Sequence, residues 1–194
     1  MQRYPLTGAA APTEVTTYTW DPTHRGGVMP DNNNIWWTVA TEDSTCVADA
    51  SVTDIVGQMR IGLVSSGLSH ATSTEGINVP WKQSPNNILI DVTAFAADAT
   101  NGKVAPTTMG QWFEGSSSKF VEFNGANLDT TNITSFYRTF YGSAGLVDVI
   151  NIGNWNVNKV TNFQGMFQNC SSIVDLDMTS WNMRGRTITL NDML

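Results

Sequence analysis

The sequence predicts a mainly β protein: an extended N-terminal arm, then a small antiparallel β domain, then a short solenoid with one strand and one short helix or 3-10 segment per repeat. Two observations carry the prediction. The first half reads as β-branched runs cut by Gly, Pro and Asn breakers, and the second half repeats itself at a step of 27 residues. Composition agrees with both. Of 194 residues only 14% are charged, and Asn, Thr, Ser and Gly fill the polar positions, as in neutral, β-rich surface and assembly proteins. Lys+Arg 10 against Asp+Glu 17 leaves a formal charge of -7, which removes the basic footprint that nucleic-acid binding needs.

Residues 1–34 alternate short extended runs, such as Glu14 to Trp20 (EVTTYTW), with breakers at Asp21-Pro22, Gly26-Gly27, Pro30 and Asn32-Asn33-Asn34. That reads as an arm that packs along a neighbour. Residues 35–105 hold the runs IWWTVAT, CVADASVTDIV, MRIGLVS and NILIDVTAF between turn-rich segments, which suits a sandwich-like anchoring domain. Ala96 to Pro106 (AADATNGKVAP), small and punctuated by Gly and Pro, reads as the linker to the repeats at 106–194.

In the repeats, Phe113, Phe140, Phe167 and Leu194 fall 27 residues apart, as do Met109, Phe136, Phe163 and Leu190. Three near-complete units can be written, and a fourth opens with LNDML. Each unit starts with aromatic or Met residues at i, i+3 and i+4, on one side of a helical or 3-10 turn. A corner of small residues follows at Gly115, Gly142 or Asn169. Then comes a strand-like run at Phe120/Phe123, Leu146/Val149 and Ile173/Leu176, while Trp155 and Trp181 occupy equivalent positions over the core. One coil cannot bury its own apolar face, but coils stacked about 4.8 Å apart share a core.

These residues resemble the BspA-like leucine-rich repeats of bacterial surface proteins, whose units read roughly LDLSxFDTSNVTNMSxMFxGCSSL. The best-matching stretch, Trp155 to Met178, keeps the VTN, the MF pair and the CSS corner in order. The first unit keeps LDTTNITSF but has Gly115-Ser116-Ser117 at the corner, and the third diverges after Trp181, where Met183-Arg184-Gly185-Arg186 replaces TSNV. The resemblance covers residues 106–194 and implies a leucine-rich-repeat-like architecture; such repeats serve many adhesive and structural roles.

Signals for chemistry are weak. Cys46 and Cys170 stand far apart without a CxxC or Cys/His cluster and read as small buried hydrophobes. His24 and His70 sit in breaker-rich loops, and no nucleophile, phosphate-loop or metal motif occurs, so neither enzyme activity nor a cofactor is expected. Asp175 and Asp177 share a side of their run, with Asp148 at the repeat position of Asp175, and read as a solvated face. Seven tryptophans invite a carbohydrate-stacking reading, yet Trp155 and Trp181 read as core. Trp36 and Trp37 must point to opposite faces of a strand, leaving one indole for solvent or a partner. Trp20, Trp36, Trp37 and the apolar pair Met193 and Leu194 at the open end of the stack are therefore the interface candidates.

Met1 to Pro12 lacks a signal-peptide core, and no apolar run is long enough to span a membrane. A surface-type repeat without such signals leads to the expectation of a bacteriophage virion accessory protein, such as a capsid decoration, head-fibre or tail component. Its partners would be other virion proteins and further copies of itself. The alternative is a receptor- or glycan-binding adhesin of a phage fibre or bacterial surface.

Overall fold

Strands form where β-branched and aromatic residues concentrate, but they also take in Gly26-Gly27 and Asn32-Asn33-Asn34, which the sequence marked as breakers. A computed structural model describes residues 26–39, 58–63, 70–82, 92–95, 103–116, 120–125 and 128–194. Its strands are β1 (Gly26–Met29), β2 (Asn32–Val39), β3 (Gln58–Leu63), β4 (His70–Ala71), β5 (Val92–Phe95), β6 (Lys103–Val104), β7 (Glu122–Asn124) and β8 (Asp148–Ile150). Six form one sheet in the order β1-β2-β3-β5-β7-β8, and β4 pairs with β6. The β1-β2-β3 part is antiparallel and the β3-β5-β7-β8 part is parallel. Among the described residues there is no α-helix, only 3-10 turns at Pro80–Lys82 and Ile152–Asn154. The mainly β class, with a small antiparallel section, follows the sequence.

The boundaries differ from the expected ones. Residues 26–34 belong to the β1–β2 hairpin, with Val28 opposite Trp36 and Met29 fully buried. The hairpin turn is tied inward, because the Asp31 carboxylate accepts hydrogen bonds from Ser73 Oγ at 3.0 Å and Thr74 N at 2.6 Å. Residues 1–25 of the expected arm lie outside the described residues. The described part of 35–105 is not a closed sandwich: β2, β3 and β5 join a sheet that crosses the expected boundary, β5 pairing with β7 at Thr93–Phe123, while β4 and β6 form a two-stranded sheet of their own. Within the expected linker, Lys103 and Val104 pair with His70 and Ala71.

The core is one continuous cluster from Met29 to Trp181. Within it Phe140 links the three units, with ring centroids 5.7 Å from Phe113, 5.4 Å from Phe167 and 5.1 Å from Phe123. The Phe113–Phe140–Phe167 rings are near parallel, at 10° and 4°, as a 27-residue step requires of identical side chains in identical positions. A second column joins Phe136 to Phe163 and Trp155 to Trp181. Upstream, the indole N–H of Trp81 donates to Trp112 O, and that of Trp112 donates to Glu75 O, which fastens residues 75–82 to the first unit.

Backbone hydrogen bonds hold consecutive units in register. Isolated parallel bridges link Thr108, Ser135, Asn162 and Thr189, each 27 residues from the next. The apolar turn adds a ladder in which Gln111, Arg138 and Gly165 donate to Tyr137, Gln164 and Asn191, while Phe113, Phe140 and Phe167 donate to Thr139, Met166 and Met193. The segment expected as a helix or 3-10 turn is a series of turns in which alternate N–H groups donate to the next unit and the others, such as those of Thr139, Tyr141 and Ser143, to the carbonyl three residues back, with none of these to a carbonyl four residues back. Two left-handed residues per unit aim the groups this way: Gln111, Arg138, Gly165 and Asp192 at one position, and Gly115, Gly142 and Asn169 at the expected corner.

Close packing makes one glycine indispensable. A Cβ on Gly125 would stand 2.9 Å from Trp155 Nε1 and 3.1 Å from the Phe123 ring. Gly125→Ala should therefore cost about 1–3 kcal/mol in urea unfolding. Phe140→Ala should cost about 3–5 kcal/mol. Val174→Ala, at a site 83% exposed, should change stability by less than about 0.5 kcal/mol. Equal effects at Phe140 and Val174 would contradict the core assignment.

Candidate interaction surface

Most repeated polar side chains serve the stack. After each corner, Ser143 Oγ and Cys170 Sγ reach back one unit and donate to Phe113 O and Phe140 O, both at 2.9 Å. Ser116 Oγ, at the same position in the first unit, donates to its own Phe113 O. Thr107, Thr134 and Thr161 form a hydroxyl column in which each donates to the preceding rung, at Ser73 O, Thr107 O and Thr134 O. Asp129, Asn156 and Asn182 each accept from the backbone N–H two residues on, closing the same turn in every unit. This explains the neutral composition: at these positions Asn, Thr and Ser replace backbone partners that a Lys or Glu would not supply.

Two surfaces remain outward. On the turn side, the Arg138 guanidinium lies 4.6 Å from the Tyr141 ring centroid and 5.4 Å from that of Tyr137, and 3.5 Å from the Glu114 carboxylate. Gly165 leaves room for this arginine, since a Cβ there would stand 3.1 Å from Arg138 Cγ. On the opposite side, β8 ends the sheet, and a cleft of about 550 Å³ opens beyond it. Its walls are residues 147–154 on one side and Val174, Asp175 and Asp177 on the other.

The structure sorts the predicted residues. Phe113, Phe136, Phe140, Leu146, Trp155, Phe163, Phe167 and Trp181 are buried, while Ile173 and Leu176 are only partly buried against the core. The strand expected at Ile173–Leu176 does not form. Continuing the β7–β8 register by the 27-residue step would set Asp175 beside Asp148, which already stands opposite Glu122, so the third run would extend an acidic row. Trp37 is not an interface residue: it is 2% exposed and packs edge-on against Trp81 at 6.0 Å, because its face of β2 is the core face shared with Ile35 and Ile61. Trp36 sits on β2 opposite Val28 and Gly62. Trp20, like His24 and Cys46, lies outside the described residues. Met193 is partly buried and its carbonyl takes the Phe167 N–H, whereas Leu194 is 74% exposed. Among the described residues no three of His, Cys, Asp and Glu converge as metal ligands.

Sequence reasoning missed Arg186, whose guanidinium donates to the carbonyls of Val157, Asn158, Val160 and Asn182. Its signal was positional. It stands 27 residues after Lys159, whose ammonium donates to Asn132 Oδ1, again one unit back. Cys170 is the other informative side chain: burial pushes its thiol up to about 11 from an ordinary 9.0, against a smaller opposing pull from the Ser143 backbone hydrogen bond. The unfolded chain loses this proton first, so the native state loses stability as pH rises from 9.0 toward 11. Iodoacetamide labelling of native Cys170 at pH 8 should accordingly be far slower than in urea, and Cys170→Ser should flatten the alkaline fall in stability. Equal labelling rates would refute the assignment.

Residues 89–194 match the family described as "Mycoplasma protein of unknown function, DUF285". No curated protein and no solved structure matches the chain. Among the described residues no helix is long and apolar enough to cross a membrane. The matched region contains β5, β7, β8 and all three stacked units, more than half of the chain, and the chain belongs to the DUF285 family.

Proposed function

We propose that the protein is a non-enzymatic interaction scaffold, a short BspA-like leucine-rich-repeat solenoid that holds other proteins, and that it works as an accessory part of a bacteriophage virion. The observation behind the scaffold reading is the commitment of repeated polar groups to unit-to-unit bonds, from the Thr107–Thr134–Thr161 column to the Ser143 and Cys170 caps. Such cross-linking makes a rigid platform whose free surfaces are set by the repeat and not by loop motion. The low-charge, Asn/Thr-rich composition supports a place in a particle, where surfaces meet neighbours.

A second reading, a bacterial surface adhesin, draws on two observations. The family's description ties it to Mycoplasma. The Tyr137–Arg138–Tyr141 group offers aromatic faces beside a cation, a chemistry that suits sugars. Quantitative mass spectrometry of purified particles and of cell-surface fractions separates the two. The virion reading predicts a fixed copy number in particles. The adhesin reading predicts surface enrichment, and glycan-array binding that Tyr141→Ala abolishes. Absence from both fractions would overturn the scaffold's proposed location altogether.

A further inference from the structure

We infer that the outer edge of β8 is a strand-docking site for an extended, basic segment of another protein; this deepens the scaffold reading by naming the site and the partner's chemistry. In the first two units the runs at Glu122–Asn124 and Asp148–Ile150 pair as β7 and β8, but the corresponding run of the third unit bows away. It is pinned at both ends. Cys170 Sγ donates to Phe140 O before the bow, and after it Ser180 Oγ donates to Gly153 O and Trp181 Nε1 to Ile152 O. Between the pins lies the 550 Å³ cleft, and one wall of it is the last strand of the sheet.

An edge strand pairs readily with an extended peptide, main chain to main chain, and flanking side chains choose which peptide. Here the chooser is negative. Asp148, Asp175 and Asp177 line the cleft together with Val147 and Val174, which are 43% and 83% exposed. These carboxylates favour a strand bearing Lys or Arg over an acidic one. They also disfavour a second copy as occupant, since the chain carries a net charge of -7 and would bring its own acidic edge. A partner alternating basic and apolar residues satisfies both the acidic and the aliphatic groups of the walls.

Titration of the full chain with acetyl-(Lys-Val)4-amide, followed by heteronuclear NMR, tests this. Saturable binding should weaken with salt, protect the Val149 amide, which faces the outer edge, from exchange, and shift Val147 and Val174 resonances. The Val174→Lys/Asp175→Lys double variant, altered only at exposed positions, should keep its melting curve and bind about tenfold more weakly. The Glu-Val counterpart and a backbone N-methylated Lys-Val peptide should not bind. No binding of the Lys-Val peptide, or binding that N-methylation leaves intact, would overturn the inference. So would a Val149 amide already as protected as those of β7 without peptide, which would mean that another segment of the chain occupies the edge. None of these outcomes bears on particle or surface association, so the scaffold reading stands or falls separately.

Discussion

Parallel hydrogen bonding between consecutive units fixes the spacing at which every other group must recur. Once Arg138 N is bonded to Gln164 O and Phe140 N to Met166 O, the rings of Phe113, Phe140 and Phe167 have nowhere to go but over one another. The corner must then turn within the same count, which places Gly115, Gly142 and Asn169 in the left-handed region. The tie dominates local preference. Gln111, Arg138 and Asp192 hold positive φ at an ordinary cost of about 1–2 kcal/mol each, which only a context that over-determines the backbone can impose.

Much of this was legible in the residues. A 27-residue recurrence of Phe at two positions located both aromatic columns, and the recurrence of small residues located the corners. The turn was legible only as a helix or 3-10 segment, because spacing at i, i+3 and i+4 puts side chains on one face of any tight turn and does not show that every other N–H donates to the next unit. The single sheet was hidden for another reason. Its parallel partners β3, β5, β7 and β8 are short and far apart in sequence, and long-range parallel pairing leaves no local mark.

Side-chain placement shows the same division. Alternation said that Trp36 and Trp37 face opposite ways, but only the packing of Ile35, Trp37 and Ile61 against Trp81 shows which face is the core. Repeat equivalence correctly buried Phe163 and Trp181. It failed at Ile173 and Leu176, which stay only partly buried and outside any strand. The acidic run read as a solvated face has Asp175 and Asp177 exposed, and it is also where the third unit lacks the strand of the first two.

Among the described residues, the bonds between consecutive units and the β8 edge are the features on which the proposed interaction scaffold rests. That account depends above all on the 27-residue register. Residue-resolved amide hydrogen exchange on the intact chain tests it most directly. The account predicts that Gln111, Phe113, Arg138, Phe140, Gly165 and Phe167, whose N–H groups all donate across units, exchange slowly, and that destabilising any one unit speeds exchange in its neighbours. Fast exchange at Arg138 and Phe140 alongside slow exchange at β2 and β3 would contradict it.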